Sequence, residues 1–138
     1  MLFRSQYYVV GMPGSFYGPL FPGASLDIVH SSYALQWLSR VPKRVVDKTS
    51  PAWNKGMIFY SSEGRETVVQ AFAEQFAKDM DCFLHFRAKE VVSGGLMILI
   101  ILGRSDETPH SQVDSNTTYN LLGSCLLDMA NKVKNQGQ

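Results

Sequence analysis

The sequence predicts an α/β fold, on three observations. Short β-branched and aromatic runs alternate with stretches whose apolar residues recur every three or four positions. One run, LMILIIL at 96–102, is apolar without alternation, the pattern of a central strand covered on both faces. Strands alternating with helices and joined by right-handed crossovers lie parallel in one sheet.

Each element has its own signature. QYYVVGM (6–12) is β-branched and aromatic and predicts a strand that ends at Gly11. PGSFYGPLFPG (13–23) is crowded with glycine and proline and predicts a loop. SLDIV (25–29) predicts a second short strand. SSYALQWLSRV (31–41) predicts a short helix, with Ser31 or Ser32 as N-cap and Pro42 as its stop. PKRVVDKTSPAWNKG (42–56) predicts an irregular surface loop, and MIFYSS (57–62) a brief strand.

A long helix is predicted over 66–92. Val69, Phe72, Phe76, Met80, Phe83 and Leu84 fall on one side, and Gln70, Glu74, Lys78, Asp81 and His85 on the other. Ser93, Gly94 and Gly95 then predict its stop. After the apolar run, GRSDETPHSQVDSN (103–116) predicts a loop. A last helix is predicted over 117–134, with Tyr119, Leu122, Leu126, Met129 and Val133 on one face. About three strands make a thin sheet, so the chain is expected to be part of a larger domain.

The bulk numbers exclude several classes. A chain of 138 residues is enough for one domain with a core. The net charge is +1 and the basic residues form no stripe, which argues against a nucleic-acid partner. The N-terminus lacks the layout of a signal peptide, and no apolar run is long enough to span a membrane. Cys82 and Cys125 fall in helical patterns without metal-ligand spacing, as expected of a reduced cytoplasmic protein.

In an open α/β sheet, ligands bind outside the carboxyl ends of the strands. GMPGSFYG (11–18) and HSSYALQW (30–37) follow the first two predicted strands, and both mix aromatic with hydrogen-bonding groups, the composition of a small-molecule pocket. Gly11 and Gly14 let the backbone approach a ligand. Ser15 offers a hydroxyl and Phe16 a flat face suited to an aromatic base. Gln36 both donates and accepts. Trp37 carries one indole N–H, a donor for a carboxylate or carbonyl oxygen. His30 reads as a structural histidine at a strand end, and His85 and His110 as solvated. Neither a GxSxG nor a P-loop is present.

Taken together, VVGMPGSFYGPLFPGASLDIVHSSYALQWLSRVP (9–42) resembles the SABATH family of plant methyltransferases. WNKG (53–56), the segment 71–104 and LLGSCLLDMANK (121–132) extend the resemblance over nearly the whole chain. It implies a partial Rossmann-like methyltransferase sheet with flanking helices. It implies transfer of a methyl group from S-adenosylmethionine to the carboxyl group of a small acid, with a xanthine ring nitrogen as the alternative acceptor. Ser15 and Phe16 would contact the cofactor near its adenosine part. Tyr33, Gln36 and Trp37 would line the substrate pocket, and Trp37 would hold the carboxylate. Asn54 matches a position assigned in some members to magnesium. The resemblance leaves a homodimer open.

The sequence also departs from the family. It lacks the Cys-Ser-Ser-Gly-Pro-Asn cofactor loop, the acidic residue that holds the ribose and the Asp-Ser-Phe-Asn segment of the metal site. KVKNQGQ (132–138) does not match the family's continuation, and Pro19 replaces a basic or polar residue. The expectation is an internal fragment without the N-terminal cofactor-binding half and the C-terminal cap. The competing expectation is a catalytically inactive fragment, or an interaction partner that presents a free sheet edge.

Overall fold

A computed structural model describes residues 8–55, 57, 66–103, 105, 107 and 114–136. The elements run β1 (Leu26–Ser32), α1 (Lys43–Val46), α2 (Glu66–Glu90), β2 (Val91–Ile100) and α3 (Asp114–Gln136). β1 and β2 pair in parallel, as the alternating order requires, with Ile28 opposite Leu96 and Ser32 opposite Ile100. Of the two other predicted strands, 57–62 lies outside the described residues apart from Met57. The first, 6–12, does so for its first two residues, and 8–12 are exposed and belong to neither described strand.

Three expectations are corrected. The stretch 33–41 is a series of turns, not a helix. Its proposed caps, Ser31 and Ser32, are spent in the sheet opposite Leu99 and Ile100. The ladder continues into Tyr33, whose N–H donates to the Ile100 carbonyl at 3.0 Å. Tyr33 then turns the chain with φ +51°, a left-handed conformation that no helix accommodates. Pro42 does not end a helix but stands as the N-cap of α1, within the stretch expected to be irregular.

The second correction concerns the glycines after α2. The helix ends at Glu90, and Ser93, Gly94 and Gly95 lie inside β2. There the register slips: β1 advances from Leu26 to Ile28 while β2 advances from Val91 to Leu96. Glycines occur in strands where such a bulge forms or where backbone approaches closely. Both reasons apply. Gly94 has φ +83°, and a Cβ on Gly95 would sit 2.5 Å from Val91 Cγ1 and 3.0 Å from the Asp27 carbonyl.

The third concerns burial. The LMILIIL run is not covered on both faces among the described residues. Leu96, Ile98 and Ile100 form an exposed row, while Met97 and Leu99 are half-buried. The apolar face assigned to α3 is exposed as well, at Tyr119, Leu122, Leu126, Met129 and Val133.

The core sits on α2. Val45, Ala52, Val68 and Ala71 form one buried cluster, with Phe72 packed on it. Leu35 and Phe83 are buried further along. The polar residues expected to be wet, Gln70, Glu74, Lys78, Asp81 and His85, are exposed. The buried face also carries three residues that no apolar pattern marks: Asp79, Arg87 and Glu90, all at most 4% exposed. No described helix is long and apolar enough to cross a membrane.

Candidate active site

Two loops carry five of the candidate residues, and buried polar residues of α2 hold both. The first is the glycine-proline loop 13–23. Arg87 donates from Nη1 to the Phe16 carbonyl at 3.2 Å and from Nη2 to the Gly18 carbonyl at 2.8 Å. Glu90 Oε1 accepts from the Leu20 and Phe21 N–H groups at 2.7 and 3.1 Å. The two side chains pair one helical turn apart, with Arg87 Nη2 lying 3.0 Å from Glu90 Oε1 and 2.9 Å from Oε2. The bond is to Oε1; Oε2 is a charge contact without hydrogen-bond geometry. A loop without secondary structure must place its backbone groups somewhere. Here one buried ion pair takes four of them.

The second loop is 33–41. Asp79 accepts from the Ser39 N–H at 2.8 Å, the Ser39 hydroxyl at 2.7 Å and the Gln75 amide at 2.9 Å. Burial opposes the ionisation of both carboxyls, yet both lie below their ordinary values. For Asp79 the bonds from Ser39 and Gln75 and the charge of Arg40 outweigh burial. For Glu90 the Leu20 and Phe21 N–H groups and Arg87 do so.

The loops meet at Tyr17. Its hydroxyl donates to the Trp37 carbonyl at 2.6 Å, with the Leu35 carbonyl a second acceptor at 3.3 Å. Burial, then the nearby negative charge of Asp79, raises the Tyr17 pKa, so the proton it donates is firmly held. The Phe16 and Tyr17 rings pack with centroids 4.5 Å apart, tilted by 46°.

This arrangement brings together five of the six residues singled out in the sequence. Ser15 is exposed and Phe16 half-buried. The Ser15 side-chain oxygen accepts from the Tyr17 N–H at 3.3 Å, which leaves its hydroxyl proton able to point outward. Gly14, at φ +148°, lies against Leu20; a Cβ there would come within 2.8 Å of Leu20 Cδ2, so this close turn takes no side chain. A hydroxyl donor beside an aromatic face on a side-chain-free turn fits a nucleoside-bearing cofactor. Across the Tyr17 bridge, Tyr33 and Trp37 are exposed, at 54% and 69%. Gln36 donates to the Tyr33 carbonyl at 2.7 Å, and its amide oxygen is buried without a partner.

Asn54 stands apart. Its N–H donates to the Val45 carbonyl at 2.9 Å and its side-chain amide to the Met57 carbonyl at 3.0 Å, closing a turn beside α1. An asparagine side chain carries no charge, so it is a weak magnesium ligand by itself. Magnesium is held by carboxylates together with water or phosphate oxygens. Among the described residues no group of three His, Cys, Asp or Glu side chains could hold a metal. These residues do not fit a magnesium site.

Tyr17, Asp79, Arg87 and Glu90 escaped the sequence reading. Tyr17 directly follows Phe16 and was not singled out. The other three fall on the helix at spacings of eight and three, a signal visible only once charged residues are allowed on a buried face.

Comparison with known proteins gives these loops a context. A family model described as SAM dependent carboxyl methyltransferase matches residues 2–135. Loganic acid O-methyltransferase of Catharanthus roseus is 44% identical, over 96% of this chain and 37% of its own length. A probable 7-methylxanthine methyltransferase of Camellia ptilophylla is 42% identical, over 91% of this chain and 34% of its own length. A solved structure of loganic acid methyltransferase with SAH superposes with a TM-score of 0.85 at 41% identity, covering 95% of this chain and 37% of that one. The chain thus spans a little over a third of these relatives.

Proposed function

The chain belongs to the SAM-dependent carboxyl methyltransferases, and from that premise we propose that its two joined loops are where methyl donor and acceptor meet, in methyl transfer to the carboxyl group of a small acid. The observation that carries the reading is the Tyr17 bridge. It brings the loop of Ser15 and Phe16 against the loop of Tyr33, Gln36 and Trp37. In this reading Ser15 and Phe16 hold the cofactor at its adenosine end.

When bound, S-adenosylmethionine supplies a methyl group already activated by its sulfonium charge. The chain's own residues have to orient the acceptor. Trp37 donates its indole N–H to one carboxylate oxygen, Tyr33 offers its hydroxyl, and Gln36 closes the turn between them. A carboxylate needs no base to become a nucleophile, so the pocket works by alignment, a contribution of up to roughly 7–11 kcal/mol in model systems. The exposed free thiols of Cys82 and Cys125 suit a reducing cytoplasm.

A second reading, methylation of a xanthine ring nitrogen, is supported by the similarity to the 7-methylxanthine methyltransferase. It differs in chemistry, since a ring N–H must lose its proton. The test is calorimetric titration of S-adenosylhomocysteine into the chain, followed by transfer of labelled methyl to loganic acid and to 7-methylxanthine. Micromolar binding that weakens in Phe16→Ala supports the cofactor assignment; no binding by the chain refutes it. Labelled ester supports the first acceptor, and labelled dimethylxanthine the second.

A further inference from the structure

We propose that Tyr17 is a positioning residue that ties the cofactor-side and acceptor-side loops into one unit, so that a ligand on the first is felt by the second. This rests on the loop assignments above.

Each loop has its own attachment to α2, through Arg87 and Glu90 for 16–21 and through Asp79 for Ser39. Loop 33–41 is also pinned at its start, where the Tyr33 N–H meets the Ile100 carbonyl. Between Tyr33 and Ser39 the Trp37 N–H closes a turn onto the Ala34 carbonyl at 3.2 Å. The side-chain bond that reaches this middle from the other loop is Tyr17's. It falls on the carbonyl of Trp37, the residue that holds the acceptor in our reading. The neighbouring ring is Phe16, which faces the cofactor in the same reading.

The bond is also placed to act on position more than on stability. Trp37 is exposed, so water replaces the hydroxyl if it is removed. Phenylalanine would keep the ring packing against Phe16. Nearby Asp79 stays engaged with Ser39 and Gln75 whether or not the hydroxyl is there.

The test is amide hydrogen exchange on wild type and Tyr17→Phe, with and without S-adenosylhomocysteine. Without ligand, exchange over 34–38 should quicken about fivefold in the variant, as expected for loss of one net hydrogen bond. Exchange in the buried part of α2 should stay unchanged. Unchanged exchange over 34–38 overturns the proposal, and so does a uniform rise along the chain, which would make Tyr17 a stabilising residue only. With ligand, wild type should gain protection over 14–18 and 34–38, and the variant over 14–18 alone. Protection of both loops in the variant overturns the coupling. Protection of neither loop in wild type refutes the cofactor assignment instead, and the ligand-free comparison still decides the tie.

Discussion

Replacing Glu90 with methionine should be among the costliest single changes in this chain. Glu90 is 2% exposed. The methionine leaves the Arg87 guanidinium buried at 3% exposure without its counter-charge, and the Leu20 and Phe21 N–H groups without their acceptor. Breaking a buried pair from one side costs about 3–5 kcal/mol. Each orphaned N–H adds about 1–3 kcal/mol if it stays dry. Loop 13–23 is partly exposed and relaxes toward water, so the two N–H groups add little and the pair alone, about 3–5 kcal/mol, is expected. Arg87→Met should cost about 3–5 kcal/mol by the same reasoning, because it strands the Phe16 and Gly18 carbonyls and leaves the buried Glu90 carboxylate without its counter-charge. The double variant should cost less than the two singles together, by at least about 1.5 kcal/mol, because no unpaired charge remains. Urea denaturation followed by circular dichroism measures all three. Additivity within about 0.5 kcal/mol would refute the view that the pair acts as a unit.

Acid should destabilise the chain in a defined window. The folded pKa values of Asp79 and Glu90 lie below the ordinary 3.8 and 4.5, so their contribution is complete above those values and is lost as pH falls through the folded ones. The melting temperature should therefore hold from neutrality to about pH 5 and drop below it, less steeply in Asp79→Asn. Gly95→Ala should cost about 1–3 kcal/mol in urea titration, because its Cβ meets Val91 and the Asp27 carbonyl. Tyr33→Asn should keep or raise the melting temperature, since asparagine tolerates φ +51° better, while acceptor binding measured by calorimetry falls. Leu35→Ala should cost about 2–5 kcal/mol, because the side chain is 1% exposed.

The helices were legible because α2 and α3 repeat apolar residues every three or four positions over many turns. The wet side of α2 came out correctly for the same reason. The buried side came out in part: Phe83 is buried and Val69, Phe72, Phe76 and Met80 are half-buried, but Leu84 is exposed, and Asp79, Arg87 and Glu90 satisfy loop backbone, a use that apolar spacing cannot register. SGG at 93–95 deceived for a different reason. Glycines that end helices and glycines that admit a bulge look alike until the partner strand, Leu26–Ser32, is in place. The stretch 31–41 had helical composition, but the ladder bond from Tyr33 to Ile100 is a long-range fact that overrides it. The candidate residues on the two loops were chosen from aromatic and polar composition and from family likeness. Their junction at Tyr17 needed coordinates.

The two clamps on α2 have a consequence for how this segment tolerates change. Asp79 and Arg87 are eight residues apart, about 12 Å along the helix and about 80° apart around it. Exposed positions between them, such as Asp81, Cys82 and His85, can exchange identity freely without moving either clamp. An insertion or deletion of one residue there would turn one clamp by about 100° relative to the other. One of the two loops would then lose its anchor. Over this stretch length is the constrained quantity, and divergence must proceed by substitution.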